Sequence, residues 1–437
     1  MLLCSLENVV KERINVGIIG FGTVGTGALS VLIENKDEIA RRVGCPIEVI
    51  KVADLDITTE RPVEFDRSIL TTDVSQVLDN PDVDIVIETI GGVKPAKDFI
   101  LRAMNNGKHV VCANKELIAK EGADIFDAAG SNGVDFYFEG AVGGGIPIIR
   151  AMKTSLAANK ILEVMGIVNG TTNYILTKMA HERRDFDDVL KEAQAAGYAE
   201  SDPTADIEGH DARYKLAILA DIAFTSRVNV NDIYCEGITK IAAQDICYAR
   251  ELGFVIKLLA IARRNGEEIQ ARVHPTLIPV SHPLASVNDV YNAIYVRGDF
   301  VQDVMFYGRG AGSLPTGSAV AGDVMEIARN IMQGCTGRLP CTCFDKRVMQ
   351  GMDMVETRYY MRLLVADRPG VLAGIAQVFG DNGVSIATVM QKDMYADNAE
   401  IVMVTHRVAE KHFRRAIETI AELPVVAQVN NWIRVEE

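Results

Sequence analysis

An α/β chain built of three units is what the sequence predicts, and three patterns predict it. In the first third, short apolar runs rich in β-branched residues alternate with helical stretches, as in a parallel sheet covered on both faces. Past residue 146 long helices take over with few strand-like runs, which reads as an α+β unit. Residues 358–437 follow the order βαββαβ, a ferredoxin-like sandwich.

The elements follow in order. Residues 14–20 form an apolar run that breaks into glycine and becomes helical through 26–33, giving strand, tight turn and helix. Further strands are expected at 47–53, 83–88, 109–113 and 134–138, completing a first domain over 12–145. Helices at 148–156, 175–181, 186–195, 212–223 and 241–252, with strands at 270–279 and 292–297, fill a second domain over 146–313. A helix at 316–332, within 314–335, returns to the first domain, and 336–357 reads as a linker. In the last unit, strands at 359–366, 384–391, 399–408 and 425–435 frame two helices. Leu372, Ile375 and Phe379 share one helix face, and Phe413, Ala416, Ile417 and Ile420 the other helix's inner face.

At 437 residues, 48% hydrophobic and 24% charged, the chain has the balance of a globular protein with two or three cores. Its net charge of −14 opposes nucleic acid and anionic membrane surfaces. Residues 1–10 carry Glu7 and no long apolar run, so no signal peptide is expected, and no apolar run of about 20 residues suggests a membrane span. Eight cysteines are scattered, with only Cys341 and Cys343 close together. That spacing is not a zinc site's and fits a reducing compartment, so a cytoplasmic location is expected. His274-Pro275 and His282-Pro283 mark turns, and no His/Asp/Ser arrangement suggests hydrolysis.

Gly20-Phe21-Gly22-Thr23-Val24-Gly25 is a complete G-x-G-x-x-G between strand and helix. The first glycine allows the turn, the second lets a pyrophosphate approach the backbone, and the third lets helix pack on strand. The helix N-terminus supplies free N–H groups for the phosphates, so 12–145 reads as a Rossmann-type dinucleotide-binding domain. Asp54 and Asp56 would repel a 2′-phosphate, whereas Lys51 and Arg61 could compensate, so NAD and NADP both stand.

The densest chemistry lies at Glu200, Asp202 and Asp206, followed by Asp211 and Lys215. Asp211 and Lys215 are four apart and share one helix face. An ammonium beside a carbonyl can supply both charge and proton to a developing alkoxide.

Three further segments carry a family resemblance. They are His109-Val110-Val111-Cys112-Ala113-Asn114-Lys115, the Gly166–Leu176 stretch with Asn169-Gly170-Thr171-Thr172-Asn173, and Gly197 through Lys215. With the fingerprint and Glu139-Gly140-Ala141-Val142-Gly143-Gly144-Gly145-Ile146-Pro147, they closely resemble homoserine dehydrogenase along nearly the whole chain. The resemblance implies reversible hydride transfer between NAD(P)(H) and aspartate 4-semialdehyde, giving homoserine. It implies Lys215 as proton donor, Lys115 assisting near cofactor and substrate, and Asp211 orienting Lys215. Glu200 and Asp206 would hold the substrate amino group, and Gly170 would let the backbone approach both ligands. Some relatives carry another acid where this chain has Ala205. A monovalent cation, sodium, would sit on backbone carbonyls of Glu139, Val142, Gly144 and Ile146, while Thr89 and Gly310 are further cofactor contacts.

Residues 358–437 resemble an ACT regulatory domain, which implies threonine as effector near Asp367, Gly370 and Asn382, and a homodimer or homotetramer. No kinase region precedes the fingerprint, so the single-function form is expected. Removing residues after Thr357 is expected to leave activity and erase a threonine response.

Plainer readings stand beside these. Lys215 and Lys115 could be solvating charges, Glu200 a loop cap, Asp202 a turn-former, His210 a surface histidine and Arg368 a surface turn. Two other functions remain open: an amino-acid dehydrogenase acting on a related substrate such as aspartate, and a catalytically silent amino-acid sensor of the same fold.

Overall fold

The run Ile14–Ile19 is buried at every position but Asn15, so it belongs at the centre of a sheet. A computed structural model, describing residues 11–395 and 398–436, places it there. The expectation about residues 1–10 lies outside the described residues. Six parallel strands run in the order Leu70–Thr71, Ile47–Ala53, Ile14–Ile19, Ile85–Glu88, His109–Cys112 and Phe136–Tyr137. The direction of winding reverses between Ile14–Ile19 and Ile85–Glu88. A crevice is expected at the carboxyl ends of those two strands, where Gly20 and Thr89 lie.

The return helix, Ser313–Met332, lies against the first helix, Thr23–Glu34. Their backbones nearly touch: a Cβ on Gly317 would come within 2.4 Å of the Gly27 carbonyl carbon. Neither position admits a side chain, so this crossing fixes the second domain's exit onto the nucleotide domain.

The second sheet is mixed. Gln302–Arg309, Tyr291–Gly298, Ile161–Ile167, Phe254–Asn265 and Glu268–Pro279 are successive antiparallel neighbours. Three of these strands, Ile161–Ile167, Phe254–Asn265 and Gln302–Arg309, are absent from the sequence expectation. Phe254–Asn265 is buried over residues 256–262, and its apolar residues, interrupted by Lys257, show no alternation that would separate a strand from a helix. The helix expected at 175–181 begins earlier, at Gly170, because the Asn169 side chain accepts from the Thr172 N–H at 2.9 Å and caps it. The helix expected at 148–156 contains a π-helical turn, Ala151–Ser155.

The third unit has the expected βαββαβ order, with strands Glu356–Ala366, Ile386–Tyr395, Asn398–Thr405 and Val426–Val435. It is not detached. Its last strand pairs in parallel with Glu268–Pro279 through Thr276–Arg434 and Leu277–Val435, so one sheet runs through both units. The linker is also held: the Asp345 N–H donates to the Thr225 carbonyl at 2.8 Å, and Val348–Met349 pairs with Glu268 and Ile269. Among the described residues, no helix is long and apolar enough to cross a membrane.

Candidate active site

Two helices from different domains bring the cationic side chains together. Lys115 opens Lys115–Asn132, whose cap Asn114 accepts from the Leu117 N–H at 3.1 Å. Asp211 and Lys215 lie one turn apart on His210–Ala223. The Asp211 carboxylate takes both ammonium groups, Lys115 on Oδ1 at 2.8 Å and Lys215 on Oδ2 at 2.6 Å. Asn169 spends both amide hydrogens on acids, donating to Asp206 at 2.6 Å and to Asp211 at 2.9 Å. Lys215 also donates to the Val168 carbonyl at 2.7 Å. Two of its three N–H groups are thereby engaged, and one remains for a ligand.

Burial would raise the Asp211 carboxyl, but Lys215 and Lys115 outweigh it and hold it well below the usual carboxylate range. Burial pulls Lys215 below an ordinary lysine, against Asp211, which favours the charged form. Lys115 moves the other way: attraction to Asp211 outweighs its burial and raises it. Its side chain remains 43% exposed, whereas that of Lys215 is 9% exposed. The cluster thus holds one firmly charged lysine and one that releases its proton more readily.

These groups face a cleft of about 380 Å³ whose walls include Lys115, Gly170, Asp206, Lys215, Arg309 and Gly310. Gly310 has a packing reason of its own, because a Cβ there would come 1.9 Å from the Asn292 amide nitrogen. At Gly170 a Cβ would meet the Val290 carbonyl at 3.0 Å.

The glycine loop divides its labour as the fingerprint requires. Gly20 has φ +97°, and a Cβ on Gly25 would sit 2.0 Å from the Gly20 carbonyl oxygen. A Cβ on Gly22, in contrast, would meet nothing within 4 Å. The protein itself therefore leaves room at Gly22 beside the open helix N-terminus at Thr23 and Val24, the space a pyrophosphate would fill. Thr89 braces the loop by donating to the Gly20 carbonyl at 2.8 Å. Phe21 is buried, its ring 5.4 Å from that of Phe65 and its N–H donated to Asp54. Asp54 also accepts from Asp56 N–H at 2.8 Å.

Family models agree with this division: homoserine dehydrogenase matches 147–325, its NAD-binding domain 20–139, and the ACT domain 359–425. The homoserine dehydrogenase of Corynebacterium glutamicum is 46% identical over 431 residues, 97% of this chain and 96% of its own length. The chain belongs to the homoserine dehydrogenase family. A crystal structure of a homoserine dehydrogenase from Thiobacillus denitrificans superposes with TM-score 0.91 at 45% identity, covering 97% of this chain and 98% of that one. A hyperthermophilic archaeal homoserine dehydrogenase in complex with NADPH gives TM-score 0.61 at 25% identity, over 72% of this chain and 97% of that one. The enzyme is an oxidoreductase acting on CH–OH groups with a nicotinamide dinucleotide.

Other expected residues gather less completely. Glu200 is exposed at the rim, where its charge acts weakly on Lys115. The loop of Glu139, Val142, Gly144 and Ile146 has left-handed glycines at Gly143 and Gly144. The Glu139 carboxylate is committed to the Ile149 and Arg150 N–H groups at 2.8 Å each, leaving its backbone oxygen for any cation. The Ile146 carbonyl accepts from Ile148 N–H at 2.9 Å. In the third unit, Asp367 and Gly370 lie together before Val371–Asp381, with Gly370 at φ +90°. Asn382 ends that helix instead, its amide donating to the Val378 carbonyl at 2.8 Å. Eleven residues of helix span about 16 Å, so within one chain Asn382 does not join the other two in a single pocket.

Asn169 and Arg309 are site residues that the sequence reading did not single out. Asn169 lay inside a quoted motif, and its capping position before Gly170-Thr171-Thr172 was the available signal. Arg309 ends a strand whose edge position only the fold discloses.

If the glycine loop serves as described, Gly22→Ala is expected to keep the melting temperature while weakening dinucleotide binding on the order of tenfold, about 1.4 kcal/mol. Fluorescence titration with NADH and NADPH checks the affinity. Unchanged affinity would mean that the open space at Gly22 is not the phosphate site.

Proposed function

We propose that the cleft reduces L-aspartate 4-semialdehyde to L-homoserine, and runs in reverse, with Lys215 as the proton donor. A dinucleotide held at the Gly20–Gly25 loop would supply the hydride for the aldehyde carbon. Lys215 gives a proton to the oxygen as the carbon–oxygen double bond becomes a single bond, and regains it from solvent. Lys115, kept cationic, stabilises the negative charge that builds on that oxygen. Asp211 fixes both ammonium groups, and Asn169 ties Asp211 to Asp206, which holds the substrate amino group with Glu200 at the rim. Gly170 and Gly310 let the backbone of the cleft walls pack closely, Gly310 on Asn292 and Gly170 on the Val290 carbonyl. The observation that carries this reading is the remaining N–H of Lys215, turned to a cleft that Lys115 and Asp206 also line.

Arg61 lies over the Phe21 ring, 5.7 Å from its centroid, with Nε unpartnered. A cation there suits a 2′-phosphate and supports NADP(H) as the form bound. Sodium on the Glu139, Val142, Gly144 and Ile146 carbonyls would steady the loop between the domains. Threonine, binding by Asp367 and Gly370, would inhibit. The edge strand Gln302–Arg309 presents exposed Met305 and Tyr307, which supports pairing of two copies, and a cytoplasmic site of action fits the free thiols.

Homoserine-dependent growth of NADPH or NADH absorbance by the purified full-length protein, with and without millimolar threonine, tests the reading. Absence of homoserine-dependent activity with either cofactor would overturn the substrate assignment. Activity indifferent to threonine, and equal in an Asp367→Ala variant, would overturn the effector assignment alone.

A further inference from the structure

The only closely spaced cysteines, Cys341 and Cys343, lie in the segment between the return helix and the third unit, away from the cleft. Both are half-buried and line a small cavity with Phe126, Phe138, Lys153 and Arg227. The Cys341 sulfur accepts from Arg227 Nη2 at 3.2 Å, and the Cys343 thiol lies 3.8 Å from the Asp221 carbonyl. Lys153 faces the same cavity and donates to the Leu339 carbonyl at 3.1 Å. The pair therefore sits between two cations with one acid, Asp221, behind it.

That setting separates the two thiols. A hydrogen bond from Cys343, with Arg227 and Lys153 nearby, outweighs burial and brings Cys341 down to about 5, while Cys343 is raised. Burial lifts the Asp221 carboxyl to about 7 and draws the Lys153 ammonium down to about 8. The same surroundings thus favour the thiolate at Cys341 and the protonated thiol at Cys343.

The cavity also reaches the catalytic helices. Ile218, Asp221 and Ile222 lie at the far end of the helix that carries Asp211 and Lys215, and Ile118 lies one turn from Lys115.

We propose that Cys341 and Cys343 are a peroxide-oxidation site, with Cys341 as the attacking sulfur and Cys343 as the resolving one, coupled to the catalytic helices. The Cys341 thiolate attacks a peroxide oxygen: a sulfur–oxygen bond forms, the oxygen–oxygen bond breaks, and hydroxide leaves. The Cys343 sulfur then attacks the sulfenic sulfur, forming the disulfide and breaking the sulfur–oxygen bond, with its proton leaving in water. In sum, two thiols and hydrogen peroxide give one disulfide and two waters. Closing the bond across Thr342 takes the sulfur acceptor from Arg227 and shifts the loop beneath both helices.

The test uses the full-length enzyme with one equivalent of hydrogen peroxide at pH 7, followed by digestion and mass spectrometry. The peptide holding both cysteines is expected to lose two hydrogens before any other cysteine reacts, and to recover them with dithiothreitol. Cys343→Ser is expected to leave Cys341 as a sulfenic acid that dimedone captures. At pH 5.5 iodoacetamide should alkylate Cys341 on the order of tenfold faster than a model cysteine peptide, and Arg227→Met should remove that advantage. A peptide still fully reduced after other cysteines have oxidised, or alkylation no faster than the model, overturns the site. Oxidation is expected to lower kcat about fivefold, reversibly, with no effect in Cys341→Ser. An unchanged kcat in the fully oxidised enzyme overturns the coupling.

Discussion

Lys215→Ala is expected to lower kcat on the order of 10³-fold while dinucleotide affinity stays within about threefold, the split expected of a proton donor. The substitution removes a buried ammonium, yet Asp211 keeps Lys115 at 2.8 Å and Asn169 at 2.9 Å, so its charge stays paired. The glycine loop belongs to the other domain and shares none of Lys215's hydrogen bonds. Stopped-flow absorbance and fluorescence titration measure the two quantities separately. Equal loss of both would make Lys215 a structural residue.

The pH dependence follows from the direction of its shift. Homoserine oxidation needs Lys215 neutral, to accept the hydroxyl proton. Burial lowers its pKa, so the rate of oxidation should rise with pH and level off below about 10.4, the ordinary lysine value. Lys215→Ala should lack that rising limb. Lys115 is raised, so it stays cationic across the same range and cannot produce the limb itself.

Much of this site could be read from the chain because its chemistry is local. The glycine spacing dictates a turn, and Asp211 and Lys215 share a helix face by their interval of four. What escaped was decided across long sequence separations. Glu200 is close to Asp206 along the chain, yet the loop leaves it at the rim, and spacing within a loop fixes no direction. Phe254–Asn265 shows no alternation because neighbouring elements bury both of its faces. Asp367 and Asn382 flank one helix, which sequence proximity disguises and 1.5 Å per residue reveals. The third unit's order was legible, but its attachment was not, since no local pattern announces that Arg434 and Val435 pair with Thr276 and Leu277.

That attachment sets the second large effect. Glu436→Gln is expected to lower the melting temperature on the order of 10 °C, corresponding to about 3–5 kcal/mol. Glu436 is the anion of Arg272, whose side chain is 1% exposed inside the second domain, and it also takes Arg263 at 2.8 Å. Arg263 keeps Glu163, whereas Arg272 would retain only the Gln270 side-chain oxygen at 3.1 Å. A buried guanidinium with no counter-charge costs far more than the loss of an exposed pair such as Arg13–Glu48, where Glu48→Gln should change little. Burial opposes the Glu436 charge, but Arg272 and Arg263 outweigh it, so its folded pKa lies below the unfolded one. Its contribution is therefore complete above about pH 4.3 and is lost as pH falls through the lower folded value. Scanning calorimetry of wild type and Glu436→Gln should show melting temperatures far apart at neutral pH and converging in acid. A constant gap would mean that the carboxylate's charge is not what holds Arg272. Because Glu436 and Arg434 belong to the third unit, a chain ending at Thr357 exposes the same unpaired Arg272. Such a truncation is therefore expected to lose stability together with any threonine response, which Asp367→Ala in the full chain dissects better because the shared sheet stays whole.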